Sequence, residues 1–470
     1  MRARRIATLL GVALVAALWL GLVAYTVRTR DLVALQLLFL LYSGYGACTQ
    51  LLGVAARGRR AEPVRPVRLP TVSVLIPARN EARVIQDTLR AMGALRYHDR
   101  GGRPRFEVLV LDDRSEDGTG ERAARVPVPV PVRVVRVPQG TPPGKAAVLN
   151  LGTQLARGEI LAVFDADARP DPEFLLRAVP YLFEPGVAGV QGRRLFYHRE
   201  ATWVARGQEH EFAAYQSATQ RARERWGAHV LFGGNGMLIN RRAIEAAGGW
   251  NVQAPTEDID LAIRFHALGW RVRYCEEAVV WEESVPTWAG LVRQRARWSE
   301  GVLRALVDHA LRILRGHMTL LQKADLLLFL TGSVLIPAAV FASHAYAAAT
   351  LLRGALEPYY LLPLPRSLPE PLTVGAFGLL TAALITSAAV EVRAAPWRVA
   401  AGFSAYLLFT AHQMLSTPLA LLNCAYAAAT GRTLWFKTEH AAPWGESDSV
   451  ERDPQVGEWL ALGSYRRAIP

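Results

Sequence analysis

Apolar residues form long blocks toward both ends of the chain and short, regularly spaced groups between them. Residues 6–27 and 32–56 are apolar runs, each long enough to cross a hydrocarbon layer of ~30 Å as a helix. Arg2, Arg4 and Arg5 precede the first run, and Arg57, Arg59, Arg60, Arg65 and Arg68 follow the second. Positive charge is retained on the cytoplasmic side, so the two runs are expected to form a hairpin with its outer turn near residues 28–31. A cleaved signal peptide fits the first run less well, because the run exceeds a signal core and a second follows at once. Residues 326–352, 372–390 and 399–429 are apolar again, the last with His412, Gln413, Ser416, Thr417 and Pro418 in its middle. Polar groups at that depth must face protein or water, which predicts an interior, broken or re-entrant segment. Five plain spans would leave the C-terminus outside, whereas Arg432 and Lys437 favour the inside. A re-entrant last segment reconciles the two.

Between the blocks the pattern shortens. Residues 71–77 (TVSVLIP), 106–113 (FEVLVLDD) and 160–164 (ILAVF) read as buried strands. Residues 81–95 read as a helix with Ile85, Leu89 and Met92 on one face, and residues 146–156 as another. Residues 126–137 alternate valine with proline and arginine, an extended edge, since proline cannot donate to a ladder. Strand–helix–strand alternation predicts an α/β fold with a mostly parallel sheet and helices on its faces. Residues 301–322 place Val302, Leu303, Leu306, Val307, Ala310, Leu311 and Leu314 at helical spacing with arginines between them. That suits a helix at a membrane surface, or an ordinary core helix. The expected division is a two-span hairpin (1–61), a cytosolic domain (62–300), an interface helix (301–322), a second membrane region (323–430) and a tail (431–470).

Composition agrees: 51% of the 470 residues are hydrophobic, too many for an ordinary soluble protein. The net charge of +13 would suit nucleic acid, but much of the excess flanks the apolar runs, where anionic headgroups attract it. No nucleic-acid partner is expected. Cys48, Cys275 and Cys424 lack the spacing of a metal site or a disulfide framework. Lysine occurs only at positions 145, 323 and 437. In so arginine-rich a chain, Lys145 in PPGKAAVLN and Lys437 in LWFKTE stand out, whereas an interfacial Lys323 needs no special role.

In open α/β sheets, ligands lie beyond the carboxyl ends of the strands. Residues 77–81, Asp112 with Asp113, and Asp165-Ala166-Asp167 all fall there. An Asp-x-Asp at a strand end can hold a divalent cation together with substrate phosphates, although alone it is more often a solvated turn. Asp112 and Asp113 are equally compatible with a turn. Residues 231–240 (LFGGNGMLIN) pack glycines where a backbone must pass close to a ligand, or turn tightly. Thr256-Glu257-Asp258 opens a helical pattern, as a capped N-terminus also would. Gln294-Arg295-Ala296-Arg297-Trp298 closes the domain, where Arg beside Trp is also a common headgroup anchor.

The order P-A-R-N-E, L-D-D, D-A-D, T-E-D, Q-R-A-R-W between membrane spans resembles the membrane-bound family 2 glycosyltransferases over roughly residues 40–440. These have the GT-A fold and include cellulose, chitin, hyaluronan and poly-N-acetylglucosamine synthases and ceramide glucosyltransferase. The resemblance implies an inverting, metal-dependent hexosyltransferase using a nucleotide-sugar, such as a UDP-sugar, with Mg²⁺ or Mn²⁺. It implies that Pro77, Ala78, Asn80 and Glu81 cradle the nucleotide with Asp112 and Asp113. It further implies that Asp165 and Asp167 form the metal motif, Asp165 also contacting substrate, and that Asp258, beside Glu257, is the general base. Gln294, Arg297 and Trp298 would hold diphosphate and acceptor. Lys145, and more weakly Lys437, would approach the nucleotide, and Gly234 the substrate.

Three functions follow in order. The leading expectation is a processive synthase extending a polysaccharide and exporting it through its own spans, with an accessory export subunit as a further partner. The alternative is a non-processive enzyme adding one sugar to a membrane lipid, for which about five spans suffice. A non-catalytic transporter or receptor is disfavoured by the intact carboxylates at 113, 165, 167 and 258. Either enzyme is expected in the cytoplasmic (inner or plasma) membrane with its catalytic domain in the cytosol.

Overall fold

The computed structural model describes residues 2–29, 33–58, 68–197, 202–352, 370–392 and 410–430, with a few single positions between them. Arg432 and Lys437, and the tail from 431 to 470, lie outside the described residues. The chain opens with two apolar helices, α1 (Arg2–Thr29) and α2 (Val33–Ala55). Eight strands follow: β1 (Val72–Ala78), β2 (Phe106–Asp112), β3 (Val132–Arg136), β4 (Ile160–Val163), β5 (Arg169–Pro170), β6 (Val187–Tyr197), β7 (Met237–Asn240) and β8 (Arg271–Glu283). Between them lie α3 (Ile85–Gly93), α4 (Thr119–Ala124), α5 (Lys145–Leu155), α6 (Phe174–Ala178), α7 (Trp203–Phe212), α8 (Gln220–Trp226), α9 (Arg241–Ala246) and α10 (Glu257–Ala267). A wide π-turn, Ala213–Thr219, joins α7 to α8. The long α11 (Trp288–Arg315) leads into α12 (Leu320–Leu352), α13 (Glu370–Val392) and α14 (Gln413–Thr430).

The strands form one sheet in the order β3-β2-β1-β4-β7-β6-β8-β5. The first four are mutually parallel, so β1, β2 and β4 all end on one edge. Strand β7 runs antiparallel to β4 and β6, and β8 is parallel to β6. The period of two divides the core between the faces. Val72, Val74 and Ile76 of β1 and Val108 and Val110 of β2 pack with Ile85, Leu89 and Met92 of α3 and Phe174 of α6. Leu75, Leu109 and Leu111 point the other way, into a core with Leu149, Leu261, Val302, Ile313, Leu326 and Leu330. That second core runs from the sheet through α11 into α12, so the sheet and the start of an apolar helix share one packed interior.

Strands β6 and β8 read poorly in sequence because they carry Arg193, Arg194, Glu276 and Glu282. In the fold these charges are paired: Arg194 grips Glu282 at 2.6 and 2.9 Å, and Arg193 lies 3.8 Å from Glu276. The stretch 301–322 also differs from its expectation as a separate interface helix. No proline separates it from the Q-R-A-R-W segment, and Gly301 stays helical with Thr256 packed against it, so residues 301–315 complete α11, and α12 begins at Leu320.

Four helical segments among the described residues are long and apolar enough to cross a membrane: Leu9–Thr29, Val33–Ala55, Leu320–Tyr346 and Gly375–Val392. The polar segment expected to be broken has a turn at Ala411 and His412 before α14 begins. Polar contacts tie the apolar helices together and to the sheet domain. Trp19 Nε1 donates to the Val334 carbonyl at 3.0 Å, and Tyr45 Oη to Asp325 Oδ1 at 2.7 Å. Glu391 of α13 pairs with Arg193 at 2.7 Å and Arg221 at 2.9 Å. Gln50 of α2 donates to the Ala214 carbonyl at 3.2 Å.

Gly53 brings α2 and the π-turn into backbone contact: a Cβ there would lie 2.0 Å from the Ala218 carbonyl oxygen. Gly53→Ala should therefore force the helix off its seat and destabilise the chain by about 1–3 kcal/mol. A lower melting temperature of the full chain in detergent is expected; unchanged melting would mean that α2 does not depend on this contact.

Candidate active site

The parallel strands deliver three groups to one edge, and the turns beyond them are fixed by side chains. Asn80 holds a left-handed conformation (φ 57°), which asparagine tolerates because its short amide bonds locally. Its N–H donates to Ser115 Oγ at 2.9 Å, and its Oδ1 accepts from the Glu116 N–H at 2.9 Å. Asp112 accepts from the Ser115 N–H at 3.1 Å. Asn80 thus clamps the loop after β1 to the loop after β2, Asp112 fastens the latter loop on itself, and neither lines the cavity. Pro77, Ala78, Glu81 and Asp113 do line it. Asp113 accepts from Arg114 Nε at 2.7 Å.

The third strand end carries Asp165 and Asp167. Lys145, first residue of α5, donates to Asp165 Oδ1 at 2.6 Å and to the Gly234 carbonyl at 2.9 Å, and lies 3.5 Å from Glu257. Burial alone would lower the Lys145 pKa, but Asp165 and Glu257 outweigh it and hold the ammonium charged. One oxygen of Asp167 accepts from the Glu283 N–H at 2.9 Å. Gly234 has φ +80°, and a Cβ there would sit 3.2 Å from Asp258 Oδ2 and 3.6 Å from Lys145 Nζ. The glycine-rich run is therefore both a turn and a close approach.

Glu257 and Asp258 open α10, where the helix dipole favours negative charge. Thr256 does not cap this helix through its side chain, which instead packs where any Cβ on Gly301 of α11 would stand. Two carboxylates on this helix are pushed in opposite directions. Burial, then the neighbouring Glu257, raise Asp258 to about 7, although Lys145 pulls the other way. Burial also raises Asp260, but a hydrogen bond from His309 at 2.8 Å and the Arg264 guanidinium at 2.7 Å bring it down to about 2. Asp260 anchors the helix as a permanent anion, while Asp258 is poised to exchange a proton near neutrality.

On α11, Gln294, Arg297 and Trp298 all reach the cavity. Arg295 lies 4.0 Å over the Trp298 ring, pairs with Glu211 and donates to Gln294, so it fixes the indole. Arg297 Nε is buried with no hydrogen-bond partner among the described residues. A guanidinium with an unused donor beside a cavity can take an anion.

These residues enclose one cavity of about 560 Å³. Among the described residues no three His, Cys, Asp or Glu are grouped to hold a metal alone. Asp165 and Asp167 offer two carboxylates, which suit Mg²⁺ or Mn²⁺ once phosphate oxygens complete the shell. The cavity does not stop at the sheet edge. Tyr42, Tyr45 and Thr49 of α2, Gly332, Ser333 and Pro337 of α12, and His412, Gln413 and Thr417 also line it.

The motifs passed over several residues that shape the site. Asn235 donates to Glu282 Oε2 at 2.8 Å and accepts from the Asp165 N–H at 3.2 Å, tying the metal-motif loop to the Arg194–Glu282 pair. A polar side chain inside the glycine run was the available signal for Asn235. Arg194 and Glu282, 88 residues apart, had none.

Residues 70–301 match the family described as glycosyltransferase like family 2. The chain is 32% identical over 287 residues to the beta-monoglucosyldiacylglycerol synthase of Trichormus variabilis, covering 61% of this chain and 60% of that protein. It is 34% identical over 236 residues to the probable glycosyltransferase YdaM of Bacillus subtilis, covering 50% of this chain and 55% of that protein. The chain thus spans less than two thirds of the length of either relative. The mannosyltransferase PcManGT of Pyrobaculum calidifontis, solved with GDP-Man and Mn²⁺, shares the fold at a TM-score of 0.54 and 24% identity, over 76% of this chain and 99% of that one.

The raised Asp258 has a consequence independent of catalysis. Between the unfolded value of 3.8 and about 7, the folded chain keeps a proton that the unfolded chain has lost, so this group costs stability as pH rises through that window. Asp258→Asn removes the ionisation. Its melting temperature should gain on the unsubstituted chain progressively from about pH 4 to about pH 8; a gap independent of pH would refute the raised value.

Proposed function

Because residues 70–301 belong to the family 2 glycosyltransferases, we propose that the chain transfers one sugar from a nucleotide-sugar to a hydroxyl of a membrane lipid. The observation that carries the acceptor is the reach of the cavity. The same space that holds Asp258 and Trp298 is walled by α2, α12 and residues 412–417, so a hydroxyl can come to the base from between apolar helices. Similarity to a monoglucosyldiacylglycerol synthase favours the same reading. Processive polysaccharide synthesis, the leading expectation from the motifs, is favoured by the polar His412, Gln413 and Thr417 on that wall and by similarity to glucomannan 4-beta-mannosyltransferases.

In this mechanism Asp258 accepts the proton of the acceptor hydroxyl as its oxygen attacks the anomeric carbon. The bond from that carbon to the diphosphate oxygen breaks, and the diphosphate leaves with the electron pair. One displacement on the opposite face inverts the centre. Pro77, Ala78, Glu81 and Asp113 face the nucleotide, Arg297 the diphosphate, and Trp298 the apolar face of the sugar. Asp165 and Asp167 would hold a Mg²⁺ or Mn²⁺ ion, which neutralises charge gathering on the leaving diphosphate. Lys145 keeps Asp165 and Glu257 together around that charge. The arginines flanking α1 and α2 support a cytosolic position for the domain.

The test uses membranes containing the chain, a panel of labelled nucleotide-sugars and Mg²⁺ or Mn²⁺. Label is expected in the organic phase, to fall by about 10²–10⁴-fold in Asp258→Asn and to vanish on chelation. Label of high molecular weight would establish polymer synthesis instead. The base must be ionised, so the rate should fall as pH drops below about 7, and Glu257→Gln should move that limb to lower pH. An acid limb unmoved by Glu257→Gln would remove Asp258 from that role.

A further inference from the structure

Next to Gly234, which approaches Asp258 and Lys145, Gly233 approaches a second pair of polar side chains. A Cβ on Gly233 would stand 2.6 Å from Arg194 Nη1 and 3.4 Å from Gln216 Oε1, so both heads lie over the same glycine. Both side chains line the cavity. Arg194 is buried, its Nε and Nη2 are spent on Glu282, and the Phe212 ring centre lies 4.9 Å from its guanidinium. These contacts fix the guanidinium and leave Nη1, which makes no hydrogen bond among the described residues. The side-chain amide of Gln216 makes none among them either. Two polar heads held at one place in a cavity, each with unused hydrogen-bonding capacity, suit a ligand group that both accepts and donates.

The fold holds this pair in register. Gln216 belongs to the π-turn Ala213–Thr219. Such a widening gives up regular helical bonds and is found most often at functional sites. Arg193 Nε donates to Ser217 Oγ at 3.2 Å, so the residues beside Arg194 and Gln216 tie the turn to β6. A hydrogen-bonded chain also runs from Arg194 through Glu282 and Asn235 to the N–H of Asp165. In the transfer proposed above, Asp165 serves the leaving diphosphate and Asp258 the attacking hydroxyl, and the ring in transfer lies between them. A hydroxyl of that ring can take a hydrogen from Nη1 and give its own to the amide oxygen. A sugar carboxylate would find no spare charge there, because Glu282 already matches Arg194 and Asp165 stands close by.

We propose that Arg194 and Gln216 hold a hydroxyl of the transferred sugar and so select an uncharged hexose as the donor. This rests on the nucleotide-sugar transfer proposed above and is independent of what accepts the sugar.

The test titrates the full-length chain in detergent, with Mn²⁺ present, against UDP- and GDP-linked hexoses, the matching hexuronates and the free nucleoside diphosphates. The unsubstituted chain should bind one hexose conjugate more tightly than its hexuronate counterpart. Gln216→Ala should raise the Kd of that conjugate about fivefold. Arg194→Lys, which keeps a charge beside Glu282 but loses Nη1, should raise it about tenfold. The Kd of the free diphosphate should stay unchanged in both variants. Equal weakening of conjugate and free diphosphate would make the pair a support of the nucleotide or the fold, and overturn the subsite. Unchanged affinity for both would also overturn it, and a raised apparent KM for the acceptor would then move the pair to the acceptor. Tighter binding of the hexuronate would overturn the selection of an uncharged sugar. If the unsubstituted chain binds no nucleotide-sugar, the transfer reading itself fails, and the subsite with it.

Discussion

The site is held together by one ammonium among carboxylates. Asp165, Asp167, Glu257 and Asp258 come from a strand end and a helix start and face the same cavity. Without compensation they would repel one another in a space partly closed to water. Lys145 sits at the start of α5 and reaches across to Asp165, Glu257 and the Gly234 carbonyl. It thereby joins the loop of Asp165 and Asp167, the glycine turn and the helix bearing Asp258. Gly234 suits its place because its backbone is left-handed (φ +80°) and a Cβ there would crowd Asp258 at 3.2 Å.

Around that charge the fold sorts its acids by neighbour. Asp258 faces another carboxylate and is pushed toward neutrality, whereas Asp260 faces Arg264 and His309 and stays ionised. Helix α10 is thus fixed by one acid while the other remains available for chemistry. Arg295 and Arg297 divide in the same way on α11. The first is spent on Glu211 and Trp298; the second keeps a buried donor without a partner among the described residues.

Apolar helices and sheet domain are continuous in their packing. The core beneath β1 and β2 extends through Ile313 to Leu326 and Leu330, and Glu391 is buried against Arg193 and Arg221. A cavity that begins at a strand edge can therefore end among apolar helices without crossing a loose boundary. This continuity supports the lipid acceptor proposed for the site.

The sequence by itself determined the apolar blocks, the parallel strands 71–77, 106–113 and 160–164, the buried face of Ile85, Leu89 and Met92, and the order of the acidic motifs. Each is written in local periodicity or in a short motif, and each follows from side-chain direction within one element. Strands β6 and β8 were not legible, because their buried arginines and glutamates look solvated until they are paired across the sheet. Nor were the supporting roles of Asn80, Asp112, Asn235 and Arg295, or the continuity of α11 past residue 301. Only the tertiary structure decided which acid sits beside a cation, which beside another acid, and how far the cavity runs. Those are properties of distances between residues remote in the chain, and Coulomb energy and shared space depend on distance, not on sequence order.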